Sequence, residues 1–463
     1  MQPVWEDFIM DFLKVKNGAV VDESGNKVRL RGTNSGAWMN MENFMNGFPG
    51  CEHRLRFFGK QILGEEMGTY LFDSMLENFF TEADVAYIAS LGMNLLRIPL
   101  NYRHFEDDMH PFEYKEEGFR MLDKALDWCE KYNVYAILDL HAVQGWQNSD
   151  WHSDNYTRSA LLWRTLHYQD RFVALWEEFA KRYKGRAVIA GYDLMNEPCT
   201  NTDYTRMPLL PYDARWDEMN KLYRRVTEAI RKIDSEHIVI LEGDDFSRRF
   251  IGLDEPFTDN LMYSSHEYSL VGRHPELETE EQKRDFIRKE FLEAEGTKFA
   301  MKYNVPLWVS EFSFLPDQVE LYEEMNVHWT QWSLKGVTDR FLLYADLNGA
   351  YQKLVRPVTD KALYTTLDRG EEASRELREQ IGALAETVKQ LVGARNLDNV
   401  EHPTYFNTTI GDNYVDCMLQ YPYLEKFKDK SKEEIDAIMS DFRFDRCKIN
   451  KDVEARFAHY CKD

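Results

Sequence analysis

Short apolar runs alternate with longer amphipathic segments along most of the chain. The segments at 114–132 and 171–183 repeat apolar residues at helical spacing, and helices of that length are the usual crossovers between parallel strands. No Gly-rich phosphate turn follows an early run, which disfavours an open doubly wound sheet. Eight runs of strand length occur, at 28–33, 94–99, 135–140, 190–195, 237–242, 261–265, 306–310 and 328–333. The pattern predicts an α/β fold, a closed (β/α)8 or TIM barrel.

The two ends of the chain show different patterns. Near the N-terminus, alternating apolar and polar residues on either side of a turn at 23–26 predict a β-hairpin. After residue 347 the strand pattern stops, and apolar residues three and four positions apart predict helices at 377–391 and 432–442. We expect a barrel domain with its hairpin at 1–365 and a helical C-terminal extension at 366–463.

Polar and aromatic side chains stand on or directly after the predicted strands. The C-terminal ends of the strands of a (β/α)8 barrel surround one cleft, so residues at these positions are candidates for function. The candidates are Arg97, His141, Asn196, Glu197, His266, Tyr268, Glu311 and Trp332.

Glu197 and Glu311 are the two carboxylates of this set. They follow the fourth and seventh predicted strands, which lie across the barrel mouth from each other. Cleavage of a glycosidic bond needs such a pair: one carboxyl protonates the leaving oxygen, while the other attacks the anomeric carbon or activates water. We therefore predict a glycoside hydrolase.

The other strand-end residues acquire roles around this pair. Arg97 would keep Glu311 ionised, and Asn196 would hydrogen-bond the sugar 2-hydroxyl. His266 and Tyr268 would orient the two carboxyl groups. Neither a metal nor an organic cofactor is needed for this chemistry, and we expect none.

Composition narrows the choice of partners. The formal net charge of −23 repels polyanions, so nucleic acids and anionic membrane surfaces are not expected to bind. The six cysteines lack the spacing of a zinc site or a disulfide framework. The first residues lack the basic and apolar regions of a signal peptide, so we expect a cytoplasmic protein unless such a peptide was removed. The C-terminal helices could form an oligomer interface.

Seven segments identify a family resemblance. In order, LRGTNSGAWMNMEN, GMNLLRIPLNY, AILDLHAVQGWQN, GYDLMNEP, SSHEY, PLWVSEFS and WTQWSLK resemble the strand-end motifs of glycoside hydrolase family five, in clan A. The resemblance covers about the first 350 residues. It implies that Glu197 is the acid/base and Glu311 the nucleophile of a retaining double displacement, with the carboxyl groups about 5 Å apart. The remaining strand-end residues match the surrounding site.

Two segments also resemble exo-β-glucanases of this family. GAWMNMEN is similar to their first-strand loop, which places Trp38 and Glu42 at the non-reducing-end sugar, and HAVQGWQN is similar to their third-strand loop, which ends at Asn148. Polar inserts at 47–69 and 147–170 follow these strands, where loops that enclose a substrate would lie. We expect exo action on a β-glucoside, a β-mannoside or a short oligosaccharide.

Three alternatives stay open. An endo-acting β-1,4-glucanase or mannanase would have an open cleft. A carbohydrate-binding barrel without catalysis would use the same side chains to hold a glycan. A metal-dependent hydrolase would need a further set of histidine ligands, and His266 to Tyr268 lacks the second histidine of H-E-x-x-H.

Overall fold

The computed structural model describes residues 10–201, 213–361 and 415–462, together with some positions between 376 and 391. The strands of these residues are β1 Lys14–Lys16, β2 Ala19–Val21, β3 Arg31–Asn34, β4 Leu95–Asn101, β5 Glu106–Asp107, β6 His110–Tyr114, β7 Tyr135–Ala142, β8 Ile189–Asp193, β9 Ile238–Glu242, β10 Leu261–Glu267, β11 Leu307–Phe312, β12 His328–Gln331, β13 Lys335–Gly336, β14 Leu343–Tyr344 and β15 Lys448–Ile449.

Eight of these strands form a closed barrel in the order β3, β4, β7, β8, β9, β10, β11, β12, with β12 pairing back to β3. All of the barrel pairings are parallel. The predicted (β/α)8 fold is therefore confirmed. The predicted strand positions hold to within a few residues: β7 and β10 run two residues further than expected, so His141 and His266 lie within strands, and β12 ends just before Trp332.

Helices surround the barrel because their apolar residues repeat on one face. In α5, for example, Phe119, Leu122 and Leu126 are fully buried, and this spacing of three and four residues turns one side of the helix to the strands. The helices are α1 Asn43–Asn46, α2 Glu52–Leu63, α3 Glu65–Phe79, α4 Glu82–Ser90, α5 Glu116–Lys131, α6 Leu166–Tyr183, α7 Trp216–Arg231, α8 Asp244–Ser247, α9 Glu280–Glu293, α10 Glu295–Tyr303, α11 Pro316–Glu324, α12 Ala350–Thr359, α13 Cys417–Glu425, α14 Lys432–Met439 and α15 Lys451–Tyr460.

The predicted hairpin is formed by β1 and β2, which pair antiparallel. Its residues Leu13 and Val20 join a separate apolar cluster inside the barrel, with Leu30 and Trp308 among its other members. These residues lie at the N-terminal ends of the barrel strands. The hairpin thus closes the end of the barrel opposite to the predicted site.

The C-terminal helices pack on the barrel's own helices. On α14, Asp436 accepts hydrogen bonds from Ser74 and Tyr70 of α3, and on α15 the Phe457 ring lies 4.5 Å from that of Phe314. The predicted helix at 432–442 is present, as α14 followed by a short 3-10 turn. The described positions of the predicted helix at 377–391 are helical and exposed, while the others lie outside the described residues.

The insert at 47–69 is not the polar loop that we expected. It forms α2 and the start of α3, which pack closely because Gly68 has no side chain: a Cβ there would come 2.5 Å from the Gly59 carbonyl carbon. Buried Leu55 and Gly59 stand four residues apart, a helical signal among polar neighbours. Among the described residues, no helix has the length and apolar character needed to span a membrane.

Candidate active site

Arg97 lies at the centre of the C-terminal end of the barrel. Its side chain is fully buried on β4, with its NH2 nitrogen 3.1 Å from Asp139, 3.3 Å from Asp193 and 3.1 Å from Glu242. Its NH1 nitrogen lies 2.6 Å from Glu311 Oε1. Burial opposes the charge, but the surrounding carboxylates outweigh it and raise the pKa of the guanidinium. Arg97 is therefore a permanent cation that organises four carboxyl groups.

The charged form of one of these four carboxyl groups is disfavoured. Burial, followed by the proximity of Glu242 and Asp139, raises the pKa of Asp193 well above its usual value.

Glu311 is held through both of its oxygens. Arg97 binds Oε1, and the Tyr268 hydroxyl donates a hydrogen bond to Oε2 at 2.8 Å. The Tyr268 ring is half exposed and extends from the site towards solvent, while the Glu311 carboxyl is buried. A carboxylate fixed in this way has a defined direction of attack.

Glu197 lies just after β8 in a strained backbone conformation, with a φ angle of 47°. Its N–H donates to Glu242 Oε2 at 2.7 Å, and its carbonyl accepts from Asn148 Nδ2 at 2.9 Å. The side chain lies between two imidazoles: Oε1 is 2.6 Å from His266 Nδ1 and Oε2 is 2.9 Å from His152 Nε2. The backbone strain is thus held by specific hydrogen bonds that aim the carboxyl group into the cleft.

Protons in this cluster favour the imidazoles. Burial acts to raise the pKa of Glu197, but His266 and His152 lower it well below its usual value. Burial acts to lower the pKa of His266, yet Glu311, Glu242 and Glu197 raise it well above its usual value. In the free protein Glu197 is therefore a carboxylate beside protonated histidine.

The two glutamates approach each other closely. Carboxylate oxygens of Glu197 and Glu311 and a ring nitrogen of His266 all lie within 4.8 Å of one another. Three such donors resemble part of a metal site, but Arg97 and Tyr268 already occupy Glu311, and the guanidinium repels a second cation. What fits between the glutamates is a sugar's anomeric centre with its leaving oxygen.

Two buried asparagines complete the surroundings of Glu197. Asn196 Oδ1 accepts from Arg97 at 2.7 Å, which leaves its Nδ2 without a hydrogen-bond partner among the described residues. This free N–H pair fits the predicted contact with a sugar hydroxyl. The Asn148 amide instead contacts protein groups, because its Nδ2 lies against both His152 and the Glu197 carbonyl.

His141, Trp332 and Glu42 form the side of the cleft beneath the first and third strand loops. The His141 and Trp332 rings stack at 5.3 Å with an angle of 9°. Burial opposes protonation of His141, but Asp139 at 2.7 Å raises its pKa to about 9. Glu42 lies 3.6 Å from His141, and its buried Oε1 has no hydrogen-bond partner among the described residues. The structure thus places Glu42 beside His141, and its contact with a sugar stays a prediction.

Trp38 does not join this group. Its side chain is fully buried, its indole N–H donates to the Leu76 carbonyl, and its ring packs 4.9 Å from Phe80. A ring without exposed surface cannot stack on a sugar, so the expectation of a substrate contact was wrong. Trp38 lies in a turn after β3, where Ala37 has a φ angle of 69°, and strand alternation does not fix the direction of a side chain in a turn.

A cavity of about 710 Å3 opens beside Glu197 and Tyr268. Apolar side chains that line it include Phe246, Leu270 and Phe291. The cavity extends from the two glutamates towards α9. It therefore has room for a leaving group whose glycosidic oxygen lies beside Glu197.

The sequence analysis missed four residues of this site: Asp139, Asp193, Glu242 and His152. A signal existed for Asp139, which stands two positions before His141 and so shares its face of β7. Asp193 and Glu242 end β8 and β9 after apolar runs, which is the same signal that identified the others. His152 lies in an irregular insert, where no periodicity points to it.

A parallel eight-stranded barrel with paired glutamates at the C-terminal ends of its strands has the arrangement that a glycoside hydrolase needs. The comparisons with known proteins agree with this class. Residues 60–342 match the family described as Cellulase (glycosyl hydrolase family 5). The chain belongs to glycosyl hydrolase family 5, and the resemblance found in its motifs is confirmed.

Individual relatives carry several names. The chain is 36% identical to a beta-xylosidase of Phanerodontia chrysosporium over 95% of this chain and 96% of that protein. It is 30% identical to endoglucanase C of Acetivibrio thermocellus over 42% of this chain and 51% of that protein. A solved endogalactoceramidase structure matches with a TM-score of 0.50 and 17% identity, over 72% of this chain and 76% of that one, which shows a similar fold.

Proposed function

We propose that the protein is an exo-acting, retaining β-glycosidase that cleaves small β-glycosides or short oligosaccharides by double displacement. The observation that carries the proposal is the approach of the Glu197 and Glu311 carboxylates to within 4.8 Å. Retaining enzymes have carboxyl groups about 5 to 5.5 Å apart, whereas inverting enzymes need about 6.5 to 9.5 Å to admit a water molecule. The separation therefore supports retention.

The two steps assign different work to the two glutamates. Glu311, ionised beside Arg97, attacks the anomeric carbon while Glu197 protonates the departing oxygen. A covalent glycosyl–enzyme ester forms and the leaving group departs. Glu197 then takes a proton from a water molecule, whose oxygen attacks the same carbon and releases both the sugar and Glu311.

The shape of the site supports exo action. On one side of the glutamates, the buried Oε1 of Glu42 has no hydrogen-bond partner among the described residues and can accept from a hydroxyl of a single sugar. On the other side, the 710 Å3 cavity beside Glu197 has room for the leaving group. A short sugar site joined to a larger leaving-group site favours cleavage of the terminal residue.

The relatives support a β-glycoside but name different sugars. The beta-xylosidase match covers nearly the whole chain, and three further relatives are named glucan 1,3-beta-glucosidases. These names favour β-xylosides and β-glucosides, with β-mannosides as a further candidate. The endoglucanase C match favours a second candidate function, internal cleavage of β-glucans.

Hydrolysis of p-nitrophenyl β-glycosides tests the proposal. The panel contains gluco, xylo, manno, galacto and fuco compounds, and each is tested with the wild type, Glu311→Ala and Glu197→Ala. We expect turnover of at least one compound, its loss in Glu311→Ala, and a product that appears first as the β anomer in proton NMR. An α anomer as first product would contradict retention. Internal fragments released from a cello-oligosaccharide with a reduced end would instead indicate the endo enzyme.

A further inference from the structure

His152 contacts an oxygen of the Glu197 carboxyl group from an insert, and not from the end of a barrel strand. It belongs to a 3-10 turn, Trp151–Ser153, in the insert that follows β7, and its Nε2 lies 2.9 Å from Glu197 Oε2. The other oxygen, Oε1, is bound by His266 from β10. Both oxygens of Glu197 are therefore in contact with an imidazole nitrogen, and each of these nitrogens can hold the proton that acid catalysis requires.

The two imidazoles differ in how tightly they hold a proton. His266 faces three carboxylates, with Glu197 at 2.6 Å and both Glu242 and Glu311 at 3.6 Å. The carboxylate in contact with His152 is Glu197, although Asp150 and Glu42 act on it from further away. The proton on His152 is therefore stabilised by fewer negative charges.

Asn148 further weakens the binding of a proton to His152. Its Nδ2 lies 2.9 Å from His152 Nε2, and the orientation of the amide is fixed because Nδ2 also donates to the Glu197 carbonyl while Oδ1 accepts from the Asp150 N–H. An amide donor that faces a ring nitrogen disfavours a proton on that nitrogen. Meanwhile Asn40 holds the turn by donating to the His152 carbonyl at 3.0 Å.

Three further rings lie near His152. The His141 ring, with its centroid 6.1 Å away, has a pKa of about 9 and is a cation at neutral pH, which disfavours a second proton on His152. The rings of Trp151 and Phe246, with centroids 6.0 and 6.1 Å away, carry no charge. Burial acts to lower the pKa of His152, while its hydrogen bond to Glu197 raises it above the usual value. The exchange of a proton with Glu197 is therefore the main titration open to His152.

We propose that His152 is a positioning residue that stores a proton for Glu197 and passes it from Nε2 to Glu197 Oε2 when a glycosidic oxygen enters the site. Glu197 then donates that proton to the leaving oxygen, and His152 is left neutral. In the second step Glu197 accepts a proton from water and returns it to His152. This inference rests on the proposed function, because it assigns the proton source of the same acid/base.

The test compares leaving groups that do and do not need a proton. Wild type and His152→Gln are assayed on a dinitrophenyl glycoside and on a methyl glycoside of the accepted sugar. We expect kcat/KM for the methyl glycoside to fall by about 10- to 100-fold, which is part of the roughly 100- to 10,000-fold that a general acid contributes, and kcat/KM for the dinitrophenyl glycoside to change less than about 3-fold. The alkaline limb of the methyl glycoside profile should also move to lower pH, because Glu197 beside charged His266 holds its proton weakly.

His53→Gln is the matched control. His53 lies 3.0 Å from Asp154 in the same insert, so its loss disturbs the packing of the insert without removing a group from Glu197. We expect this variant to keep the wild-type preference between the two substrates. Circular dichroism and the melting temperature establish that each variant is folded, and His152→Asn provides a second variant if the glutamine does not fold.

The outcomes separate the two proposals. An equal loss on both substrates would show that His152 only shapes the site, and an unchanged rate on the methyl glycoside would show that it holds no proton for catalysis. Either result overturns the inference while leaving the glycosidase intact. A wild type that is inactive on both substrates, and on every sugar of the panel, would instead overturn the proposed function.

Discussion

The two ends of the barrel contain opposite kinds of side chain, apolar at the N-terminal end and charged at the C-terminal end. At the N-terminal end, apolar side chains fill the barrel under the hairpin, and all are almost completely buried: Leu13, Val20, Leu30, Leu95, Ile137, Ala190, Ile238, Ile240, Met262 and Trp308. At the C-terminal end, Arg97 is equally buried, but it is surrounded by four carboxyl groups. The same strands carry both ends, so the difference lies in which side chains each strand supplies.

The contrast indicates that the apolar end stabilises the fold, whereas the charged end serves function and contributes little stability. Burial of apolar side chains contributes about 25 cal/mol per Å2 removed from water. Buried charges contribute little net stability, since the cost of removing them from water is close to the gain from pairing them. The barrel therefore maintains its charged end through the stability of its apolar end, and variants at the two ends should behave differently.

The largest expected effect is on activity alone. Glu311→Gln keeps the size of the side chain but removes the attacking oxygen, so we expect kcat/KM to fall about 10^4-fold or more, about 5 kcal/mol of transition-state stabilisation. The free energy of unfolding should change by less than about 1 kcal/mol, because Arg97 keeps three other carboxyl partners. Enzyme assays and urea unfolding measure the two quantities.

Glu323→Gln is the control for this variant. Glu323 forms a two-point ion pair with Arg31, at 2.9 and 2.7 Å, away from the catalytic glutamates. Its loss should lower stability slightly and leave kcat/KM unchanged. If the Glu311→Gln protein kept more than about a hundredth of wild-type activity, Glu311 would not be the nucleophile.

The next largest effect, that of Arg97→Met, lowers both activity and stability. Arg97→Met removes the guanidinium from between four buried carboxyl groups and leaves their charges uncompensated. Breaking such a pair costs about 3 to 5 kcal/mol, and we expect urea unfolding to show a loss of that size together with loss of activity. The loss should shrink at low pH, where the carboxyl groups become neutral. A variant of unchanged stability would mean that the charged end costs the fold nothing.

The fold could be predicted because its signals are repetitive. Each barrel strand is a short apolar run, and each run precedes a helix with a regular apolar face, so local errors of two or three residues did not change the topology. The insert at 47–69 was harder. Its helical pattern is diluted by charged residues, and α2 is covered by α13 from the far end of the chain, a contact that local periodicity does not show.

The site was predictable where a strand ends and not beyond. Arg97, Glu197 and Glu311 follow directly from the rule that strand ends face the cleft. His152 reaches Glu197 through an irregular turn, and its position depends on hydrogen bonds of Asn148 that no spacing reveals. The rule names the elements that face the cleft, whereas the conformation of the inserts decides what else reaches it.

The apolar end should show the reverse of the Glu311 variant. Leu30→Ala leaves a cavity in the cluster beneath β3, and a buried leucine of this kind costs about 3 kcal/mol when truncated. Urea unfolding should show this loss, while kcat/KM should remain within about 2-fold of the wild type at temperatures where the variant is folded. A large change in kcat/KM would show that packing at one end of the barrel controls the geometry of the other.

The smallest effect concerns the buried Asp234–His237 pair at the apolar end. Asp234 lies 2.6 Å from His237 just before β9, and although burial acts to raise its pKa, the hydrogen bond from His237 lowers it to about 2. A carboxyl group with a lowered pKa in the folded state stabilises the protein above its unfolded pKa, about 3.9, and this contribution is lost as the pH falls towards 2. Asp234→Asn should therefore lower the free energy of unfolding by about 2 kcal/mol at pH 7, with the difference from wild type narrowing below pH 4.

Asp254→Asn gives the matched comparison, because its ion pair with Arg224 is half exposed and worth less than about 1 kcal/mol. Urea unfolding between pH 3 and pH 7 measures both variants. If the Asp234→Asn difference stayed constant over that range, the residue would act through packing rather than charge. The Asp234–His237 pair would then add no charge-dependent stability to the apolar end, and the contrast between the two ends of the barrel would be sharper than the structure alone indicates.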